Sequence, residues 1–85
     1  MAKREKEENP GAAKTASYTV AAVDRALLLL LALAELPDAG VTELAEKVGA
    51  TKSLTFRLLY TLEQRGFVIK DSERRTYTLG YRTLM

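Results

Sequence analysis

Residues 50–67, ATKSLTFRLLYTLEQRGF, place Ser53, Phe56, Arg57 and Tyr60 along one side of a helical repeat, where a surface helix would ordinarily carry Lys and Glu. Each of these types has a distinct use. The Arg57 guanidinium offers two parallel donors that match a phosphate or the O6/N7 edge of guanine. The hydroxyls of Thr51 and Ser53, with the free amides of the helix start, suit a phosphate, and Lys52 adds charge. Phe56 and Tyr60 present apolar faces that could meet a thymine methyl or the sugar-phosphate edge. These groups recognise rather than break bonds. The chain has no Cys and no His, so it lacks the usual nucleophile, general base and thiolate or imidazole metal ligands. Lys52 and Ser53 are helical neighbours pointing about 100° apart, which is no Ser-Lys catalytic pair. The reading is a binding module with no enzymatic site, no metal and no cofactor. Taken singly, each residue has a plainer role: Arg57 as a solvated charge, Phe56 folded against the core. Their convergence on one helix carries the argument.

The elements that must hold these residues follow from apolar spacing. A first helix, capped by Ser17 or Thr19, runs through Val23, Ala26, Leu27, Leu30 and Ala34 as a core-facing stripe and stops at Pro37, Asp38 and Gly40. Leu29, Leu33 and Leu36 form a second ridge. Two ridges mean cover on two sides, either within one chain or by a second copy. Val41 suggests a very short strand. Thr42 caps a second helix over 43–48, Gly49-Ala50 ends it, and Thr51 caps a third helix over 52–65, which makes a helix-turn-helix. On the third helix Thr55, Leu58, Leu59 and Leu62 face the core, although Thr55 also stands with the candidate DNA-binding residues for its position near the helix start. After Gly66, FVIKD and RTYTLG flank the polar turn DSERR and predict a hairpin over 67–79, with Arg74 and Arg75 at its tip able to grip flanking backbone or minor groove. Three helices and a two-stranded hairpin make a mainly α, winged helix-turn-helix fold.

Residues 1–17 hold no large apolar side chain after Met1, and Lys3, Arg4, Lys6 and Lys14 are nearly balanced by Glu5, Glu7 and Glu8. A solvated, disordered tail is expected, with a basic DNA-binding arm as the alternative. The run ALLLLLALA is nine residues between Arg25 and Glu35, well short of the ~20 a membrane span needs. Charge is divided along the chain. Residues 18–46 carry one base, Arg25, against Asp24, Glu35, Asp38, Glu43 and Glu46. Residues 47–85 carry Lys47, Lys52, Arg57, Arg65, Lys70, Arg74, Arg75 and Arg82 against Glu63, Asp71 and Glu73. The basic half contains the third helix and the hairpin, and this asymmetry favours a nucleic-acid partner. A winged helix used for protein contacts, with Leu54, Phe56 and Tyr60 as anchors, is the second reading.

The segments VDRALLLLLALAEL, TELAEKVGATKSLTFRLLYTLEQRGFV and YTLGYR, in this order over residues 20–82, resemble the N-terminal winged-helix domain of IclR-family bacterial transcription regulators. The resemblance implies a cytoplasmic, dimeric repressor or activator on a palindromic double-stranded DNA operator, with the third helix in the major groove. Lys52, Ser53, Phe56 and Arg57 then inherit base and backbone contacts, and Thr42 a phosphate contact. It also implies dimerisation through the first helix, which favours the Leu29, Leu33, Leu36 ridge as an interface. Leu54 and Phe56 stand where the family often has a small residue and a polar ring, so operator preference does not carry over. The implied organisation is a tail (1–17), the winged domain (18–80, with the helix-turn-helix at about 42–65 and the wing at about 67–79), and residues 81–85 as the start of a linker. That linker would lead to a C-terminal domain, absent from this sequence, that binds a small-molecule effector.

Overall fold

The computed structural model describes residues 18–84, so the expected tail, its possible basic arm and the proposed Ser17 cap lie outside the described residues. Helix α1 spans Ala21–Glu35, α2 Val41–Val48 and α3 Lys52–Gln64. Strands β1 (Val68–Asp71) and β2 (Thr76–Leu79) pair antiparallel, and a 3-10 turn, Tyr81–Leu84, follows. This is the winged helix-turn-helix arrangement that the apolar spacing predicts. Among the described residues no helix is long and apolar enough to cross a membrane.

The core is the meeting of all five elements. Leu29 and Leu33 of α1, Leu44 of α2, Leu59 of α3 and Val68 of β1 are almost wholly buried, with Ala32, Ala39 and Tyr77 packed among them. Leu30, Leu36, Leu58, Leu62 and Leu79 close the edges. Here the structure corrects the reading of α1. Leu29 and Leu33 are the centre of the chain's own core and are unavailable to a second copy, and Leu36 packs against the same cluster. Val23 and Leu27, expected inside, are more than half exposed, as is Leu31. Spacing alone could not choose the face, because α1 is apolar nearly all round. The charges could have done so: at 100° per residue, Asp24 and Glu35 project within roughly 20° of each other, and the side opposite them holds Leu29, Leu33 and Ala26.

The joins are made by local hydrogen bonds. The N-cap residue of α1 is Val20, whose side chain makes no cap hydrogen bond, and the first-turn bond runs from the Asp24 amide to the Val20 carbonyl. Helix α2 begins one residue before the expected cap: Gly40 in extended conformation is its N-cap, Val41 is already helical, and Thr42 lies inside the first turn, exposed. The short strand expected at Val41 forms instead at Ala39, which bridges to Tyr77 through the Tyr77 N–H to Ala39 carbonyl bond of 2.8 Å. Gly49 ends α2 at φ 69°, a left-handed conformation that a Cβ disfavours, and its amide returns to the Ala45 and Glu46 carbonyls. Thr51 then caps α3 as expected, its hydroxyl accepting from the Leu54 amide at 3.1 Å. Only Gly49, Ala50 and Thr51 separate the two helices, which fixes α3 against α2.

At the wing the register pairs Val68 with Leu79 and Lys70 with Tyr77. The turn is organised by Asp71, whose carboxylate accepts from the amides of Glu73 (3.1 Å) and Arg74 (3.2 Å) while its carbonyl accepts from Arg75 (2.7 Å). Beyond β2 the chain folds back on the end of α3. The Gly80 amide donates to the Phe67 carbonyl at 2.8 Å, and the Arg82 amide to the Gly66 carbonyl at 3.2 Å.

Candidate nucleic-acid interface

Helix α3 presents its outer side as the sequence predicts. Thr51, Lys52, Ser53, Phe56, Arg57 and Tyr60 are all exposed, while Leu59 and Thr55 are buried. Thr55 is therefore removed from the DNA-binding set. It faces fully inward, and its hydroxyl is buried without a hydrogen-bond partner. Thr55 lies two residues from the exposed Ser53, and two residues along a helix turn the side chain by about 200°.

Phe56 and Tyr60 are 45% and 54% exposed, a large aromatic surface left in water with their ring centres 6.4 Å apart. With Arg57 and Thr61 they line an open notch of about 300 Å³. The Thr61 hydroxyl donates to the Arg57 carbonyl at 2.8 Å, so that group is already satisfied within the helix.

Lys70 belongs to this surface, although nothing in the sequence reading singles it out. It stands opposite Tyr77 in the hairpin, and its ammonium lies 5.6 Å from the Phe56 ring centre and 5.9 Å from that of Tyr77. A cation over two aromatic faces is attracted by their quadrupoles, and here it ties the wing to α3. Burial, then the Glu63 carboxylate, pushes the Tyr77 phenol up from its usual range. A signal was present in the strand alternation: Lys70 shares with Val68 the inward-facing parity of β1, an unusual place for a lysine.

At the wing tip Arg75 is exposed and holds a left-handed φ of 58°. Arg74 is exposed too, but its guanidinium lies 3.8 Å from the Asp38 carboxylate of the α1–α2 loop. The other ion pair among the described residues joins Lys47 to Glu35, so no acid pairs with Lys52, Arg57, Lys70 or Arg75. Lys52, Arg57, Lys70 and Arg75 thus lie unpaired on α3 and the wing, around exposed aromatics, and no group of acids able to hold a metal ion is present among the described residues.

Residues 22–72, more than half of the chain, match the IclR helix-turn-helix domain family. The chain belongs to the IclR helix-turn-helix family. Two transcriptional regulators named KdgR, from Dickeya chrysanthemi and Escherichia coli K12, are 34% identical to it over 61 residues, which is 72% of this chain but 20% and 23% of theirs. The chain spans about a fifth of the length of these curated relatives. A crystal structure of an IclR transcriptional regulator from Alicyclobacillus acidocaldarius superposes with a TM-score of 0.70 at 36% identity, covering 79% of this chain and 28% of that one. The same winged fold occurs in the Zalpha domain of the Cyprinid Herpesvirus 3 protein ORF112, solved for its binding mode to Z-DNA, with a TM-score of 0.64, 26% identity and coverage of 67% and 93%. The family match and these regulator relatives agree with the helix-turn-helix that α2 and α3 form.

Proposed function

We propose that the domain reads duplex DNA in sequence-specific fashion by placing α3 in the major groove. The observation that carries this reading is the outer side of α3, where Lys52, Ser53, Phe56, Arg57 and Tyr60 lie exposed together with no acid pairing the two cations. Arg57 takes a guanine edge through two hydrogen bonds; Lys52, Ser53 and the α3 amides hold a phosphate, and Thr42 in the first turn of α2 meets the next. Arg75 grips the flanking backbone or minor groove. Arg74 joins it only by leaving Asp38, so Arg75 supplies the larger share.

Dimerisation through α1 is retained, on a different set of residues from the Leu29 ridge. Val20, Val23, Leu27 and Leu31 form an exposed apolar stripe along the outward side, and Val23 and Leu27 continue into an open apolar groove of about 350 Å³ with Leu30, Leu62 and Phe67. A stripe of this size on a small domain is a surface suited to association with a second copy. Two copies related by a two-fold axis would present two α3 helices to an inverted repeat. A cytoplasmic location and a small-molecule effector acting through a different domain complete the proposal.

The test is selection from a random duplex pool, then fluorescence anisotropy on the enriched sequence at two salt concentrations. Arg57→Ala is expected to weaken binding by about 1–3 kcal/mol and to relax preference at one base pair per half-site. Arg74→Ala combined with Arg75→Ala is expected to weaken enriched and scrambled duplexes alike, and to lower the log–log salt slope by about 0.9 for each phosphate that is no longer neutralised. An unchanged slope removes the wing from the DNA-binding surface. A larger loss of a protein partner with Phe56→Ala than with Arg57→Ala, and no enriched duplex, would favour a protein-binding role for the same exposed aromatics.

A further inference from the structure

We infer that the notch between Phe56 and Tyr60 is a reader of the pyrimidine 5-methyl group, so that the domain prefers a thymine, or a 5-methylcytosine, next to the guanine held by Arg57. This rests on the reading of α3 as the groove-entering helix. Three observations support it. First, the notch is lined by Phe56, Arg57, Tyr60 and Thr61 with no carboxylate or amide, and the Thr61 hydroxyl is already bonded to the Arg57 carbonyl. It offers an incoming group one guanidinium, one phenol and otherwise carbon. Among the groups at base edges in the major groove, the thymine methyl is the apolar one; the rest are hydrogen-bond donors or acceptors.

Second, the apolar walls already have partners before any ligand arrives. Phe56 is flanked by the Lys70 ammonium at 5.6 Å and by the Tyr60 ring, tilted 32° to it, contacts that favour one orientation of its exposed face. A preformed wall loses little side-chain freedom on contact. Third, the setting is electrostatically complementary to DNA. Unpaired Lys52 and Arg57 lie on the same helix and Lys70 at the notch's edge, so a duplex drawn in by its phosphates places a base edge against the notch. Arg57 adjoins Phe56 in sequence and is one turn from Tyr60. A methyl lodged between the rings therefore sits on the base pair beside the one that Arg57 reads.

The test uses the unaltered chain and the enriched duplex. Each thymine of the half-site is replaced in turn by deoxyuridine, which removes one methyl and leaves the base pairing intact, and affinity is read by anisotropy. At one position beside the Arg57-dependent guanine, uracil is expected to weaken binding about fourfold per half-site, the effect of one buried methyl. A 5-methylcytosine·guanine pair there should bind better than an unmethylated one. Phe56→Ala, whose side chain is half exposed and whose fold is checked by circular dichroism, should bind thymine and uracil duplexes equally. Equal affinity of the unaltered chain for all uracil-substituted duplexes, with specific binding retained, overturns the methyl reading and leaves DNA recognition by α3 standing. A preference for thymine that survives Phe56→Ala overturns the assignment of the methyl to this notch. Failure to enrich any duplex removes both readings.

Discussion

Leu29→Glu unfolds this domain. Leu29 is fully buried at the centre of the core, against a cluster that includes Leu33, Leu44, Leu59 and Val68. Removing its side chain costs about 2–5 kcal/mol in lost burial and cavity, and an unpaired carboxylate in the same place adds several kcal/mol of desolvation. The sum reaches or exceeds what a domain of this size has, roughly 0.05–0.15 kcal/mol per residue. Circular dichroism should show loss of helicity at 25 °C, and a proteolysis assay should show rapid digestion. The control is Leu31→Glu, two residues further along α1 but 65% exposed. It should keep the unaltered spectrum and melting temperature within a few degrees, and in sedimentation velocity it should turn a dimer into a monomer. A folded Leu29→Glu variant would return Leu29 to a surface role and contradict this packing.

The second large effect comes from a single methyl group. A Cβ built on Gly80 would strike the Gly66 carbonyl oxygen well inside any real contact distance, and would lie 3.0 Å from the carbonyl carbons of Gly66 and Phe67. All three obstacles are backbone, which has no rotamer by which to retreat, and the Gly80 amide is itself bonded to the Phe67 carbonyl. Gly80→Ala must push β2 and the end of α3 apart. Overpacking of this kind costs about 3 kcal/mol, which lowers the melting temperature by about 15 °C in a domain this small. Gly49→Ala is the comparison: nothing lies within 4 Å of its added Cβ, so only the left-handed backbone penalty of about 1–2 kcal/mol applies. Thermal melts that rank the two variants the other way would show that the Gly66–Gly80 approach is not tight in solution.

How far the sequence reveals this molecule depends on how many signals agree at each place. In α3 the 3.6-residue spacing of Leu58, Leu59 and Leu62, the Thr51 cap and the Gly66 stop all point to one helix with one buried face, and the structure has that helix to within a residue. The hairpin is equally readable, because a β-branched run, a polar turn and an alternating run follow one another. In α1 the apolar pattern is saturated. With Leu at five consecutive positions, the face is decided by which elements pack on it: Leu29 and Leu33, assigned to the interface, are core, while Val23 and Leu27, assigned to the core, are exposed, and Leu30 packs on the core as expected. Thr42 has the residue type of a cap, whereas the backbone turns into α2 at Gly40 with no side-chain acceptor. Lys70 shows the other limit. Its partners, Phe56 and Tyr77, lie on different elements, and only the hairpin register and the seating of β1 on α3 bring the three together.

The close approach of Gly66 and Gly80 has a mechanical consequence. Through the Gly80–Phe67 and Arg82–Gly66 hydrogen bonds, the chain leaving the wing is fastened to the residues that follow the helix proposed to read DNA. A displacement of Arg82 is therefore passed through these bonds to the residues that leave α3. Handle and blade are tied together. In the proposed dimer, a small rotation of the two handles would become a rotation of the two blades, and so a change in the separation of half-sites that they can span together.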